Sequence, residues 1–222
     1  MSLTNRKYAL IAGISLILMA IVAGYAFGYV HNNLVVADDP TTTFTKLKNS
    51  RFLFGTGVIG WLVIFIMDLL VAWSLYKYFS SVQQTTSLYT GIIRGVYSLV
   101  LGFAIIQLVV AWQLLHDSNV TAELMMEKLH HFETYWSLGL ILFGIHLVGL
   151  GYLSLKSKEV PKWLGWLLYF AGVCYTVING AKATMPYAAA EIAQVEIALS
   201  APMAVAEIGL AIWLIRKGGR KK

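Results

Sequence analysis

Residues 60–73 read GWLVIFIMDLLVAW, an apolar stretch interrupted by a single acid, Asp68. About 20 apolar helical residues cross the roughly 30 Å of bilayer hydrocarbon, and this stretch lies within a run of that length. The sequence contains six such runs. They predict an all-α, polytopic membrane helix bundle, a single integral domain of residues 1–222 with helices near 8–30, 53–79, 89–115, 132–155, 163–178 and 197–215.

The composition supports lipid as the main solvent of this chain. Hydrophobic residues make up 58% of the 222 positions and charged residues 13%, about half of the usual charged share of about 25% in soluble domains. The single cysteine, Cys174, excludes an internal disulfide framework. The net charge of +6 does not indicate a nucleic-acid partner, since in a membrane protein the positions of the basic residues carry more information than their sum.

Basic residues predict the orientation, because cytoplasmic segments are enriched in Lys and Arg. With the N-terminus inside, the inner segments hold Arg6, Lys7, Lys77, Lys156, Lys158, Lys162, Arg216, Lys217, Arg220, Lys221 and Lys222. The outer loops hold Lys46, Lys48, Arg51, Lys128 and Lys182. We therefore predict that both termini are cytoplasmic. The basic C-terminal tail is expected to anchor the topology or to contact anionic lipid.

Four spans carry a polar residue at a similar distance from the inner end. Asp68 and Glu207 each precede an inner basic residue by nine positions, His146 precedes one by ten, and Arg94 follows Gln84 by ten. At 1.5 Å per residue these positions lie about 14–15 Å from the cytoplasmic edge. An isolated charge there costs several kcal/mol, so such groups usually face the bundle interior and pair. We predict a buried polar layer of Asp68, Arg94, His146 and Glu207 that acts in binding or as a proton relay.

The sequence also allows simpler interpretations of this polar layer. Arg94 could extend its side chain to the interface, because a polar run, SSVQQTTS, precedes its span. His146 could be a neutral packing residue. If both acids share one arginine, one acid is expected to hold a proton, which suits a proton-coupled site and an inert polar clasp equally well.

The second outer loop with its flanks, HDSNVTAELMMEKLHHFE, contains several possible metal ligands. Glu127 and His131 are four residues apart and would share one helical face, with His130 beside them. The metal candidates of this sequence are therefore Glu127, His130 and His131. No HExxH motif accompanies them, so a solvated acidic loop is the alternative and no cofactor is predicted.

Two glycine patterns have structural interpretations. GTGVIG at residues 55–60 has the spacing of a dinucleotide-binding loop, but it lies within a membrane helix with no preceding strand. GYAFG at residues 24–28 contains GxxxG, which is typical of close helix packing within one chain or between chains. A homo-oligomer is therefore among the expected assemblies.

The stretch ETYWSLGLILFGIHLVGLGYLSLKSKEVPKWLGWLLYFAGVCYTV resembles the central signature of a bacterial family, domain of unknown function 4386. The matching positions are Gly139, Phe143, Gly144, His146, Gly151, Tyr152, Leu153, Pro161, Leu164, Gly165, Gly172 and Tyr175. Elsewhere Asp68, Arg94 and Glu207 also fall on positions of the family pattern. Two features depart from that pattern: Val160 before the proline, and the lack of an Asp soon after Tyr175. The resemblance implies a multi-pass protein of the bacterial cytoplasmic (inner) membrane and brings no activity with it.

Three hypotheses of function follow from these patterns. The first is a protein that binds or moves a proton or a small solute at the polar layer. The second is a structural or accessory membrane protein with no substrate. The third is an intramembrane metal-assisted hydrolase, which needs at least three His or carboxylate ligands within reach of one metal.

Overall fold

The computed structural model of this protein describes residues 3–220, and every regular element within that range is helical. The α-helices are α1 (Leu3–Ala23), α2 (Asn32–Leu34), α3 (Pro40–Asn49), α4 (Arg51–Phe79), α5 (Gln84–Leu114), α6 (Ala122–Lys156), α7 (Lys162–Thr184) and α8 (Ala189–Arg216). A π-helical segment, Gly24–His31, joins α1 to α2, and a 3-10 turn, Pro186–Ala188, precedes α8.

The prediction of a six-span helical fold is confirmed. Six helical stretches in the described range are long and apolar enough to cross a membrane: Asn5–Leu34, Arg51–Phe79, Gln84–Leu114, Ala122–Lys156, Lys162–Thr184 and Pro186–Arg216. The orientation of the termini stays a prediction. Lys221 and Lys222, two of the basic residues used for it, lie outside the described residues.

Several helices are longer than the apolar runs that predicted them. The largest correction concerns α6, which begins at Ala122, ten residues before the predicted start at residue 132. Most of the segment interpreted as a second outer loop is therefore helical. Hydropathy marks the part of a helix that suits lipid, whereas polar residues can continue the same helix into water, so apolar runs underestimate helix length.

The connection after the first span contains a short helix, α3. Asp39 caps its N-terminus: the carboxylate accepts hydrogen bonds from the Thr42 backbone N–H at 2.9 Å and from the Thr42 hydroxyl at 2.6 Å. These two bonds, led by the one from the hydroxyl, hold the pKa of Asp39 below its ordinary value. Pro40 follows at the first helical position, where its missing N–H costs nothing.

Contacts between Cα atoms divide the chain into two compact units. Within the described range, one unit holds residues 3–18, 67–98 and 137–220, and the other holds residues 19–66 and 99–136. All four members of the predicted polar layer belong to the first unit. The prediction of one domain for residues 1–222 stays a prediction.

Within the first unit, α6 and α7 pack closely through glycines. A Cβ atom on Gly172 would lie 2.6 Å from the carbonyl oxygen of Gly144, and one on Gly151 would lie 2.9 Å from that of Gly165. Real Cβ atoms essentially never come this close to backbone atoms. These four glycines therefore let the two helix backbones approach, as small residues do in membrane bundles.

The same unit brings the start of α1 to the end of α8. The Arg6 guanidinium donates hydrogen bonds to the backbone carbonyls of Leu214 at 2.9 Å, Gly218 at 2.8 Å and Ile215 at 2.5 Å. These are carbonyls of the last turn of α8 and of the residues just after it, which have no partner within the helix. Arg6 therefore caps α8.

The second unit has an aromatic core. The Trp61 ring lies 5.0 Å, centroid to centroid, from both the Phe132 and Trp136 rings, and Phe27 lies 4.9 Å from Trp136. The glycines of GTGVIG also lie in this unit, where Gly55 faces the Trp112 ring and Gly57 faces Val30. They serve helix packing, as their position within a membrane helix indicated.

Candidate functional site

A buried ion pair joins α4 to α5. Arg94 donates from Nη2 to Oδ1 of Asp68 across 2.5 Å, and their side chains are 1% and 0% exposed. Asp68, the single acid of the stretch at residues 60–73, thus has a cation as its partner. Since Arg94 is buried, the alternative in which it extends to the interface does not describe this structure.

His146 on α6 adds a third helix to the pair. Its Nδ1 lies 2.9 Å from the backbone carbonyl oxygen of Thr90, which can only accept, so Nδ1 carries the hydrogen. The other ring nitrogen, Nε2, lies 3.2 Å from Nη1 of Arg94, which can only donate. Nε2 therefore accepts, and the two contacts together define a neutral imidazole with its hydrogen on Nδ1.

An aromatic ring lies against the guanidinium. The Cζ atom of Arg94 lies 5.2 Å from the centroid of the Phe143 ring, within the range of a cation–π interaction. The Tyr97 ring lies 5.1 Å from Phe143. The guanidinium therefore has aromatic as well as ionic neighbours.

Glu207 on α8 is held by a different partner. The Tyr175 hydroxyl of α7 donates to Oε1 of Glu207 across 3.0 Å, and the Tyr175 ring lies edge-on to Phe143 at 5.2 Å. The contacts described for Glu207 include no direct hydrogen bond to Arg94, although the charges of Arg94 and Asp68 act on it. Glu207 is also only partly buried. The structure thus brings Asp68, Arg94 and His146 into direct contact and connects Glu207 to them through aromatic rings.

We call Asp68, Arg94, His146, Glu207 and Tyr175 the polar cluster. Tyr175 was not among the site residues predicted from the sequence. A tyrosine in an apolar span fits a membrane interface or a packed core equally well, and only the position of α8 beside α7 shows its role. The one available signal was the family-like Gly-x-x-Tyr pattern that ends at Tyr175.

Two atoms of the polar cluster have no hydrogen-bond partner in the described part of the chain. They are Oδ2 of Asp68 and Nε of Arg94, both fully buried. A buried polar atom without a partner costs about 1–3 kcal/mol, and more when the group is charged. The polar cluster therefore keeps one acceptor and one donor that the described protein atoms do not use.

The metal candidates do not assemble into a site. Nδ1 of His131 lies 3.9 Å from Oε1 of Glu127, and Lys128 lies closer to that carboxylate, at 3.1 Å. His130 is exposed. Among the described residues, no group of three or more His, Cys, Asp or Glu side chains could hold a metal ion. The geometry required by the metal-assisted hydrolase is thus not met in this range.

The GxxxG glycines make no close contact in the described structure. Cβ atoms on Gly24 and Gly28 would meet no atom within 4 Å, and the segment that holds them is π-helical. Packing within the chain is therefore not their role, and packing between chains stays a prediction.

A family model described as "Domain of unknown function (DUF4386)" matches residues 11–218. The chain belongs to this family. An uncharacterized protein of Archaeoglobus fulgidus is 32% identical over 161 residues, which cover 72% of this chain and 83% of the relative. No solved structure matches the chain.

The residues that carry the resemblance to DUF4386 lie at a helix contact and in the polar cluster. Four of the five glycines in the family signature, Gly144, Gly151, Gly165 and Gly172, bring α6 and α7 together, and its histidine, His146, bonds to Arg94. The signature thus combines a helix contact with part of the polar cluster. The relative is archaeal, so the family comparison does not limit this protein to bacteria.

Proposed function

We propose that this DUF4386 protein binds a proton or a small polar solute at the polar cluster and moves it across the membrane. The observation that carries the proposal is the unused donor and acceptor, Arg94 Nε and Asp68 Oδ2, in a fully buried ion pair. A mobile ligand or a chain of water would satisfy both atoms. A purely structural clasp would be expected to satisfy them within the protein.

The charge balance of the polar cluster supports the same proposal. One guanidinium can neutralise one of the two carboxylates, Asp68 and Glu207. A second bare carboxylate in the membrane interior is costly, so it calls for a proton or a cation. Gain and loss of that proton or cation is the elementary step that a translocation site requires.

The second candidate is a structural role, and one observation favours it. The bonds of Arg94 to Asp68 and His146 connect α4, α5 and α6 directly. Such a clasp would specify helix register without any substrate. It predicts that variants of the polar cluster change stability and leave fluxes unchanged.

Purified protein in proteoliposomes with an internal pH-sensitive dye tests the two candidates. We expect a pH-dependent flux with the unmodified chain and none with Asp68→Asn, which keeps the size and removes the charge. Glu123→Gln is the matched control, because Glu123 is an exposed carboxylate that does not belong to the polar cluster. An unchanged flux in folded Asp68→Asn protein would remove Asp68 from the mechanism.

For the cellular setting, we propose the bacterial cytoplasmic membrane with both termini inside. Arg216 ends the last span, Lys217 and Arg220 follow it, and all three are exposed, which suits contact with anionic lipid headgroups. The share of anionic lipid that copurifies with the detergent-solubilised protein, compared between the unmodified chain and a variant with all three residues changed to Gln, tests the lipid contact.

A further inference from the structure

We infer that Glu207 is the water-accessible carboxyl of the polar cluster, through which the buried Asp68–Arg94 pair exchanges a proton or solute with the aqueous phase. This inference rests on the proposed function and adds to it the residue at which water reaches the polar cluster. It is carried by a contrast in burial. Asp68, Arg94 and His146 are at most 1% exposed, whereas Glu207 is only partly buried.

The accessible surface of Glu207 does not belong to the exposed apolar face of α8. That face carries Val205, Ile208 and Ile212, which are 55%, 38% and 45% exposed. Residues three, four and seven positions apart share one side of a helix. On the side of Glu207 these include Met203, Leu210 and Leu214, which are at most 4% exposed. Toward the start of the helix they also include Ser200 and Ala204, which are exposed. Glu207 therefore lies where a packed side of the helix meets its exposed first half.

The burial of α8 changes just before Glu207. No residue from Ala189 to Pro202 is buried, whereas most of the Glu207 side from Met203 onward is. Pro202 lies inside the helix at this boundary and supplies no backbone N–H to it. The exposed half of α8 thus ends about one helical turn before the carboxyl, and of the three carboxylate and cation side chains of the polar cluster Glu207 is the one next to it.

Glu207 is also linked, through aromatic residues, to the buried ion pair. Its Oε1 accepts from the Tyr175 hydroxyl, and the Tyr175 ring contacts Phe143, which lies under the Arg94 guanidinium. The charges of Arg94 and Asp68 also act on the Glu207 carboxyl. A carboxyl that is accessible on one side and coupled to a buried ion pair on the other has the position of an entry group.

A labelling experiment on the unmodified chain tests this directly. The protein in proteoliposomes is treated with a water-soluble carbodiimide and glycinamide and analysed by peptide mass spectrometry. The carboxyl oxygen adds to the carbodiimide carbon, and the amine then forms the amide as a urea leaves with that oxygen. Glu127, with a side chain 51% exposed, is the positive standard, and Asp68, at 0%, is the negative one. Glu207→Gln assigns the modified peptide.

We expect glycinamide on Glu127 and Glu207 and at least tenfold less on Asp68. Equal modification of Asp68 and Glu207, or none on Glu207, would overturn the inference. Labelling of Glu207 by a membrane-soluble carbodiimide alone would also overturn it, since the carboxyl would then face acyl chains. Labelling does not depend on transport. A chain without flux can therefore still show a labelled Glu207, and a chain with flux can show an unlabelled one, so the two proposals fail separately.

Discussion

Arg94 donates to both Asp68 and His146, so one guanidinium on α5 holds an acid on α4 and a neutral imidazole on α6. The pair with Asp68 is fully buried. Removal of either Asp68 or Arg94 alone leaves an uncompensated buried charge, whereas removal of both does not. Comparison of single and double variants therefore separates the contribution of the pair to stability from its contribution to function.

We predict that Arg94→Met lowers the free energy of unfolding by about 3–5 kcal/mol, as expected when one member of a buried ion pair is lost. The double variant Asp68→Leu/Arg94→Met should recover most of that loss and still show no flux. Unfolding in mild detergent and the proteoliposome assay measure the two properties. A double variant that transports normally would contradict the proposed function.

We predict that His146 is a neutral imidazole with its hydrogen on Nδ1 at neutral pH. Nitrogen-15 NMR of a chain in which His146 is the only histidine distinguishes the two tautomers. His146→Phe should cost about 1–3 kcal/mol, because Arg94 Nη1 loses its acceptor. His130→Phe, at an exposed position, should change stability by no more than about 0.5 kcal/mol. Detection of the Nε2–H tautomer would contradict the assignment.

We predict that Gly172→Ala destabilises the contact between α6 and α7. The new methyl would lie 2.6 Å from the Val148 backbone nitrogen and from the Gly144 carbonyl oxygen, and overpacking of this kind costs about 1–3 kcal/mol. Gly180→Ala on the same helix is the matched control, since its methyl would meet no atom within 4 Å. Equal unfolding midpoints for the two variants would argue against this contact.

The pH dependence of α3 follows from Asp39. Its pKa lies below the ordinary value of 3.8 in the folded chain, so the ionised carboxylate favours the folded helix. This stabilisation is complete above the ordinary pKa and is lost as the pH falls through the lowered pKa. We expect protection of the Thr43 amide against hydrogen exchange to fall over that window relative to Asp39→Asn, which does not titrate. Parallel profiles in the two proteins would show that Asp39 does not contribute.

The sequence was sufficient for the parts of the fold that depend on hydropathy. Six apolar runs predicted six spans, because the bilayer sets both the length and the polarity of a crossing helix. The ends of those helices were less predictable: α6 extends through the polar residues from Ala122 that had been interpreted as a loop. The π-helical turn at Gly24–His31 also has no mark in the hydropathy pattern.

The candidate site was accessible to sequence reasoning only in part. Counting residues from markers at the inner ends of the spans placed Asp68, Arg94 and His146 at one level, and the structure brings those three together. The different position of Glu207 and its bond to Tyr175 depend on how α7 and α8 pack, and a count along each separate helix contains no such information.

In the proposed function, the buried pair of Asp68 and Arg94 keeps two polar atoms for a mobile ligand. An experimental density map of the protein in a lipid environment, at a resolution that shows ordered water, tests it most directly. We predict water or solute density within hydrogen-bonding distance, roughly 2.7–3.2 Å, of both Asp68 Oδ2 and Arg94 Nε. A dry interior in which protein groups satisfy both atoms would contradict the claim and favour the structural clasp.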